Sequence, residues 1–144
     1  MKKLIAVTTL LAGTVLAGCQ SAPQAPPEPT AQKVVYSGML PCADCSGIRT
    51  TLTLYRDQYD HPTRFELREE YMSGSKVALS AIERGQWAAR DKVESNTQYQ
   101  IFTINPDDPG ATRQYVKDAV NAIEMLDKNG DRIQSNMNYR LLKK

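Results

Sequence analysis

Two cysteines separated by two residues, in Cys42-Ala43-Asp44-Cys45, are the clearest place where side chains of this sequence could do chemistry. Two thiolates at that spacing suit a soft ion such as Cu(I). A thiol in a Cys-x-x-Cys run can also have a depressed pKa and take part in redox sensing or disulfide exchange. In an oxidising compartment the same pair closes into a disulfide that staples a tight turn. Zinc would need four protein ligands, and the chain has three cysteines in all and one histidine, His61. That histidine precedes Pro62 in a turn-like stretch and reads as an exposed loop residue. Haem attachment needs histidine directly after the second cysteine, and position 46 is Ser. The thioredoxin setting starts a helix at the first cysteine, whereas here a strand pattern follows the second at once. Staple, copper or redox site, and exchange site are the readings the pair leaves open.

Other combinations carry less. Asp127-Lys128-Asn129-Gly130-Asp131 faintly resembles a calcium loop, but the EF-hand needs Gly at its sixth position and here it is fourth. An Asn-Gly hairpin between Leu126 and Ile133 explains it better. Glu69 and Glu70 are adjacent on a strand pattern, so they point to opposite faces and cannot act as an acid/base dyad. No nucleophile elbow or phosphate loop is present, and the chain reads as non-enzymatic.

The third cysteine places the others in a compartment. Lys2 and Lys3 open the chain, an apolar stretch runs from Leu4 to Leu16, and Leu16-Ala17-Gly18-Cys19 follows. That order is a secretory signal. Its end resembles the bacterial lipobox, in which the cysteine thiol takes a diacylglyceryl group, cleavage falls before it, and the new amine is acylated by a fatty acid such as palmitate. Residues 1–18 are therefore expected to be a cleaved signal peptide and Cys19 the lipidated N-terminus. The apolar run is too short to span a bilayer, which takes roughly 20 residues. Several acyl chains on one residue give stable anchoring. In lipoproteins resembling this one Asp after the cysteine favours the inner membrane, and here Gln20 points to the outer membrane, periplasm-facing.

From Cys19 to Gln32 the composition is Pro, Ala, Ser and Gln, an extended tether with no periodicity to build a core. Residues 33–144 are one domain by length. Lys and Arg number 18 against 16 Asp and Glu, and Lys2 and Lys3 leave with the signal, so the mature chain is formally neutral. No chain-wide basic field exists to favour nucleic acid.

The domain is patterned as β. In Arg64 to Tyr71, Phe65, Leu67 and Tyr71 share one face and Arg64, Glu66, Arg68 and Glu70 the other, the period of a half-buried strand. Ile48 to Tyr55 repeats it with Ile48, Thr50, Leu52 and Leu54 inward. Val34–Ser37, Val77–Trp87, Tyr99–Ile104, Gln114–Val116, Ala122–Leu126 and Met137–Leu142 are further strand candidates. Turn signals divide them: Pro41, Arg56 to Gln58, Ser73 to Ser75, Pro106 to Gly110 and Asn129-Gly130. Gly85 reads as a bend or bulge in the strand that carries Trp87. Many short strands so punctuated predict an all-β domain, an antiparallel meander closing into a small barrel. A barrel of about eight strands can hold one small ligand or be filled by its own side chains, so a lipocalin-like carrier with Cys42–Cys45 as a structural disulfide is a second functional reading.

The run from Tyr36 to Ile48, with Leu40-Pro41-Cys42-Ala43-Asp44-Cys45-Ser46-Gly47-Ile48 at its heart, resembles the N-terminal domain of the NlpE/CutF lipoprotein family. The similarity continues at Thr50 to Leu54, Gly85-Gln86-Trp87, Ile123 to Gly130 and Asn138-Tyr139. It implies a lipocalin-like β-barrel on an outer-membrane lipoprotein, with roles in copper tolerance and in signalling envelope or surface-contact stress through the Cpx two-component system. Contact with a sensor kinase would carry that signal. The family's Cys-x-x-Cys maps onto Cys42 and Cys45 as its copper or redox residues. In its best-known members a second, OB-like domain with its own cysteine pair follows, and the resemblance here covers the first domain. Asp57 to Thr63 and Asn105 to Arg113 read as extended loops able to reshape the barrel mouth.

Overall fold

A computed structural model describes residues 32–144. The signal peptide, Cys19 and the tether up to residue 31 lie outside the described residues. Gln32, the last residue assigned to the tether, is the first residue of β1 and pairs with Arg56.

Eight strands follow one another: β1 (Gln32–Leu40), β2 (Gly47–Arg56), β3 (Pro62–Ser73), β4 (Lys76–Glu94), β5 (Thr97–Ile104), β6 (Arg113–Ala119), β7 (Ala122–Met125) and β8 (Arg140–Lys143). Each pairs antiparallel with the next, and β8 returns to β1 to close the barrel. The all-β meander barrel expected from the pattern is therefore what forms. Its connections alternate between two ends. The β2–β3, β4–β5 and β6–β7 turns lie at the end where Gln32 enters, and the loop bearing Cys42 lies at the other.

Alternation builds the core. Tyr36, Leu52, Leu54, Phe65, Leu67, Trp87, Phe102, Ile104, Tyr115, Ile123 and Leu141 point inward and are buried together. Thr50 is inward and buried as its place in the pattern requires, while Ile48 and Tyr71, near the Cys42 end, are half-buried. The interior is thus largely filled by side chains. Ile101, Val116 and Leu126 form a smaller cluster on the outer face.

Several boundaries differ from the expectation for identifiable reasons. β8 starts at Arg140, not Met137. Ser135 Oγ accepts from Met137 N and Asn138 Oδ1 from Arg140 N, and such local bonds compete with a ladder. Leu126 stands outside β7, bridged only to Arg132. The residues after it form no two-residue hairpin. Asp127 Oδ1 instead accepts from Asn129 N and Asp131 N, with Gly130 at φ 82°. Gly85 marks no bulge, for the β3–β4 register runs regularly through Phe65↔Gly85 and shifts between Tyr71 and Met72. What demands glycine there is space: a Cβ would lie 2.3 Å from Asn105 Oδ1 and 2.9 Å from Phe65 Cε1.

Tyr115 is the largest fully buried side chain, and its hydroxyl has no hydrogen-bond partner of ordinary geometry. Burial, only partly offset by the Arg113 charge, pushes its pKa up to about 12. A folded-state pKa above the unfolded value of about 10 keeps its stabilisation intact below pH 10 and loses it as pH rises toward 12. Wild-type stability, followed by denaturant titration, is expected to fall across that window, and Tyr115→Phe to flatten the fall. An unchanged slope in the variant would assign the alkaline loss to other groups.

Candidate functional site

The Cys42 loop, residues 41–46, joins β1 to β2 and lies against the tip of the β3–β4 hairpin. Ser46 N donates to Met72 O at 2.9 Å, and Gly74 N donates to Ser46 Oγ at 2.7 Å. Met72 is buried on this outer side, where the loop covers it. Gly47 follows at φ 154°, and a Cβ there would meet Met39 Sδ at 2.8 Å, so the return into β2 needs glycine.

Within the loop, the sulfurs of Cys42 and Cys45 lie at bonding distance, 2.06 Å, with their Cα atoms 5.3 Å apart. Both residues are half-buried, while Ala43 and Asp44 between them are exposed. His61 sits in the β2–β3 turn at the other end of the barrel, bound to its own turn: Asp57 Oδ1 accepts from Tyr59 N and His61 N, and Asp57 Oδ2 lies 3.2 Å from His61 Nδ1. The hydrogen bond from the His61 backbone is the leading reason that Asp57 titrates below the usual carboxylate range. Cysteines and histidine are therefore not brought together. Among the described residues no three His, Cys, Asp or Glu side chains cluster closely enough to hold a metal ion.

Beside the loop runs an edge that patterning did not reveal. β4 spans 19 residues, yet β5 pairs with it only from Trp87 onward. From Lys76 to Gly85 it has β3 on one side and no strand on the other among the described residues. Val77, Leu79 and Ile82 are 46%, 61% and 43% exposed along it. An edge with unpaired backbone groups and apolar side chains is a natural template for an extended partner segment. The one available signal was length, since Val77 to Trp87 already exceeds an ordinary strand.

Inside the same end sits a polar group that the sequence did not announce. Arg113 on β6 reaches Glu69 Oε1 on β3 at 2.9 Å and Glu83 Oε2 on β4 at 3.4 Å. Asn105 Nδ2 donates to Glu83 Oε1. Burial pulls against the Arg113 charge, but the Glu69 carboxylate and its neighbours outweigh it and hold the pKa above the ordinary value. These bonds tie the unpaired half of β4 across to β6. Glu69 and Glu70 do face opposite ways: Glu70 pairs on the outside with Arg49.

Set beside known proteins, residues 36–136 match the NlpE N-terminal domain, a span that includes the Cys42 loop and reaches past β7. The chain belongs to the NlpE N-terminal domain family. Lipoprotein NlpE of Escherichia coli (strain K12) is 33% identical over 107 residues, which cover 74% of this chain and 39% of that protein. This chain thus aligns with well under half the length of that NlpE. A solved structure described as the Cpx pathway activator NlpE from Escherichia coli aligns with TM-score 0.48 and 26% identity, over 74% of this chain and 48% of that one.

A disulfide across so short a loop removes little chain entropy, about 2 kcal/mol at most by loop closure. Replacing Cys42 and Cys45 together by serine is expected to lower stability by no more than about 2 kcal/mol and leave the barrel folded. Thermal melts with far-ultraviolet circular dichroism check this, and loss of the β spectrum would show that the loop supports far more than itself.

Proposed function

We propose that this chain is a non-enzymatic lipoprotein of the NlpE type, anchored through Cys19 in the outer membrane and facing the periplasm. It signals envelope stress by protein contact, with the Cpx sensor kinase as partner, and contributes to copper homeostasis. The observation that carries the contact mechanism is the Cys42 loop stitched to a hairpin whose β4 edge lies open. That surface is exposed, held in shape by backbone bonds, and rich in the groups that pair with another chain. Membership of the NlpE N-terminal domain family, with Lipoprotein NlpE of Escherichia coli as a 33% identical relative, supports the lipoprotein half of the reading.

The copper half is subject to the state of the cysteines. Joined as they stand, Cys42 and Cys45 have no thiolate to offer, and no third ligand cluster surrounds them among the described residues. A metal fits this loop only after reduction, when two thiolates would suit Cu(I). The disulfide form acts as a staple, setting the shape of the loop that meets the partner.

The test is genetic. Deleting or overexpressing the gene is expected to change a Cpx-type envelope-stress reporter and copper tolerance, and Cys19→Ala to abolish the effect. If both readouts stay unchanged, the proposal fails. Acid quenching followed by an alkylating mass tag gives the thiol state: two tags favour copper or redox sensing, and none before reductant favours the staple.

A further inference from the structure

The two ends of the barrel differ in chemistry, and the Gln32 end is built unlike a surface meant only for water. A cavity of about 390 Å³ opens there. Its floor is the inward-facing Val34, Tyr36, Leu54 and Phe102, and its rim carries Lys33, Arg56, Lys117 and Lys143 against one acid, Asp60. Asp60 is engaged by Arg56 at 3.6 Å. Lys33, Lys117 and Lys143 have no carboxylate within ion-pair distance among the described residues. Of the nearby acids, Asp57 holds its own turn and Glu94 lies 3.7 Å from Lys92, while Asp91 lines a neighbouring cleft with Lys117 and Val120 without an ion pair among the described residues. In a formally neutral mature chain this is a local concentration of positive charge.

Apolar side chains surround the same opening. Each of the three connections at this end has one at or beside it: Tyr59 in β2–β3, Val93 next to the β4–β5 turn and Val120 in β6–β7, exposed by 71%, 71% and 86%. Apolar or aromatic tips around free lysines are the composition of a surface that enters the headgroup layer of an anionic bilayer. The position of Gln32 chooses the occupant. The 31 residues preceding the described barrel join it at this end, and the sequence puts the expected lipid anchor among them. From Cys19 the tether reaches at most a few tens of ångströms, at about 3.3 to 3.6 Å per residue.

We propose that the Gln32 end of the barrel is a membrane-docking face, which seats on anionic phospholipid through Lys33, Lys117 and Lys143 with Tyr59, Val93 and Val120 at the interface. Its headgroup phosphates meet the free lysines. The side-chain-filled interior beneath the mouth leaves the lipid in the bilayer. The orientation deepens the functional reading and rests on it for the anchor: docked this way, the barrel presents the Cys42 loop and the open β4 edge away from its own membrane.

Two experiments test the proposal. The first uses the chain from Gln20 onward, without an anchor, since the closed barrel lies wholly within residues 32–144. It is sedimented with phosphatidylcholine vesicles, with or without about 30% phosphatidylglycerol, at low and at about 0.15 M salt. Binding is expected to anionic vesicles only and to weaken with salt. Each of Lys33→Gln, Lys117→Gln and Lys143→Gln is expected to lower it about fivefold, and the three together about a hundredfold. Lys76→Gln and Lys128→Gln, outside this face, should change nothing. Equal binding to neutral vesicles, no binding at millimolar anionic lipid, or an equal loss in the two controls would overturn the proposal. So would capture of monomeric lysophospholipid in the mouth without vesicle binding. The second experiment labels amines on the lipidated protein in anionic vesicles. Protection of Lys33, Lys117 and Lys143 relative to Lys76 and Lys128 is expected, and the reverse order overturns the orientation. Because the first experiment needs no lipid on Cys19, its failure would leave the anchor reading standing, and mass analysis of Cys19 tests that reading separately.

Discussion

Trp87→Ala is expected to destabilise the domain by about 3 to 5 kcal/mol, the largest loss from any single side chain here. Trp87 is buried at the point where β4 changes partner, from β3, whose last pair is Arg64↔Gln86, to β5, whose pairing begins at Trp87↔Ile104. Its ring meets Phe102 edge-on with centroids 5.2 Å apart, and Arg56 lies 4.6 Å from its centroid on another side. Its indole Nε1 donates to Tyr55 O at 2.8 Å, tying β4 to β2 across β3. Alanine would leave a large cavity, leave the Tyr55 carbonyl with Thr63 Oγ1 as its side-chain donor and remove one of the two aromatic neighbours of Phe102, the other being Tyr36. Trp87→Phe keeps much of the volume but not the donor, and should cost clearly less. Denaturant unfolding followed by circular dichroism measures both. If alanine cost under about 1 kcal/mol, Trp87 would not be the keystone of this junction.

Arg113→Met comes second. Glu69 has a side chain only 12% exposed, so without the guanidinium its carboxylate would stay in the barrel wall with no cation. Removing one member of a buried pair typically costs about 3 to 5 kcal/mol. Because Arg113 is a third exposed, the lower end, about 2 to 3 kcal/mol, is expected. Adding Glu69→Gln should restore much of that loss, since a neutral amide tolerates the site better. A double variant no more stable than the single would show that Arg113 acts by packing alone. The functional stake is local, because Arg113 and Asn105 tether the part of β4 whose outer edge is unpaired. Loosening them should raise hydrogen exchange first in Lys76–Gly85.

The same contrast between patterned and assembled features separates what could be read early from what could not. Strand existence was legible because the alternation at Phe65 and Leu67, and at Thr50, Leu52 and Leu54, is a local property. A period of two has one physical use when one face is buried. The closed meander followed from strand number and short connections. The Cys42–Cys45 pair, with the Gly that follows it, was visible as spacing alone. Gly85 was noticed but misassigned: what forbids a side chain there is Asn105, 20 residues on in sequence and adjacent only after closure. The open edge of β4 was invisible because an unpaired strand and a paired one share the same alternation. Partnership belongs to the neighbour, and β5 simply ends too soon, at Ile104 opposite Trp87, to cover Lys76–Gly85. Arg113 between Glu69 and Glu83 was hidden for the same reason, its partners lying on β3 and β4, far away in sequence.

By itself, then, the sequence determined the export signal pattern, the expected lipid site at Cys19, the β class, the inward residues and the cysteine loop, all of which depend on residues near one another along the chain. Only closure of the barrel decided which edge stays open, which carboxylates share an arginine and which lysines ring the Gln32 end. Those features are set by distances between segments that no local periodicity encodes.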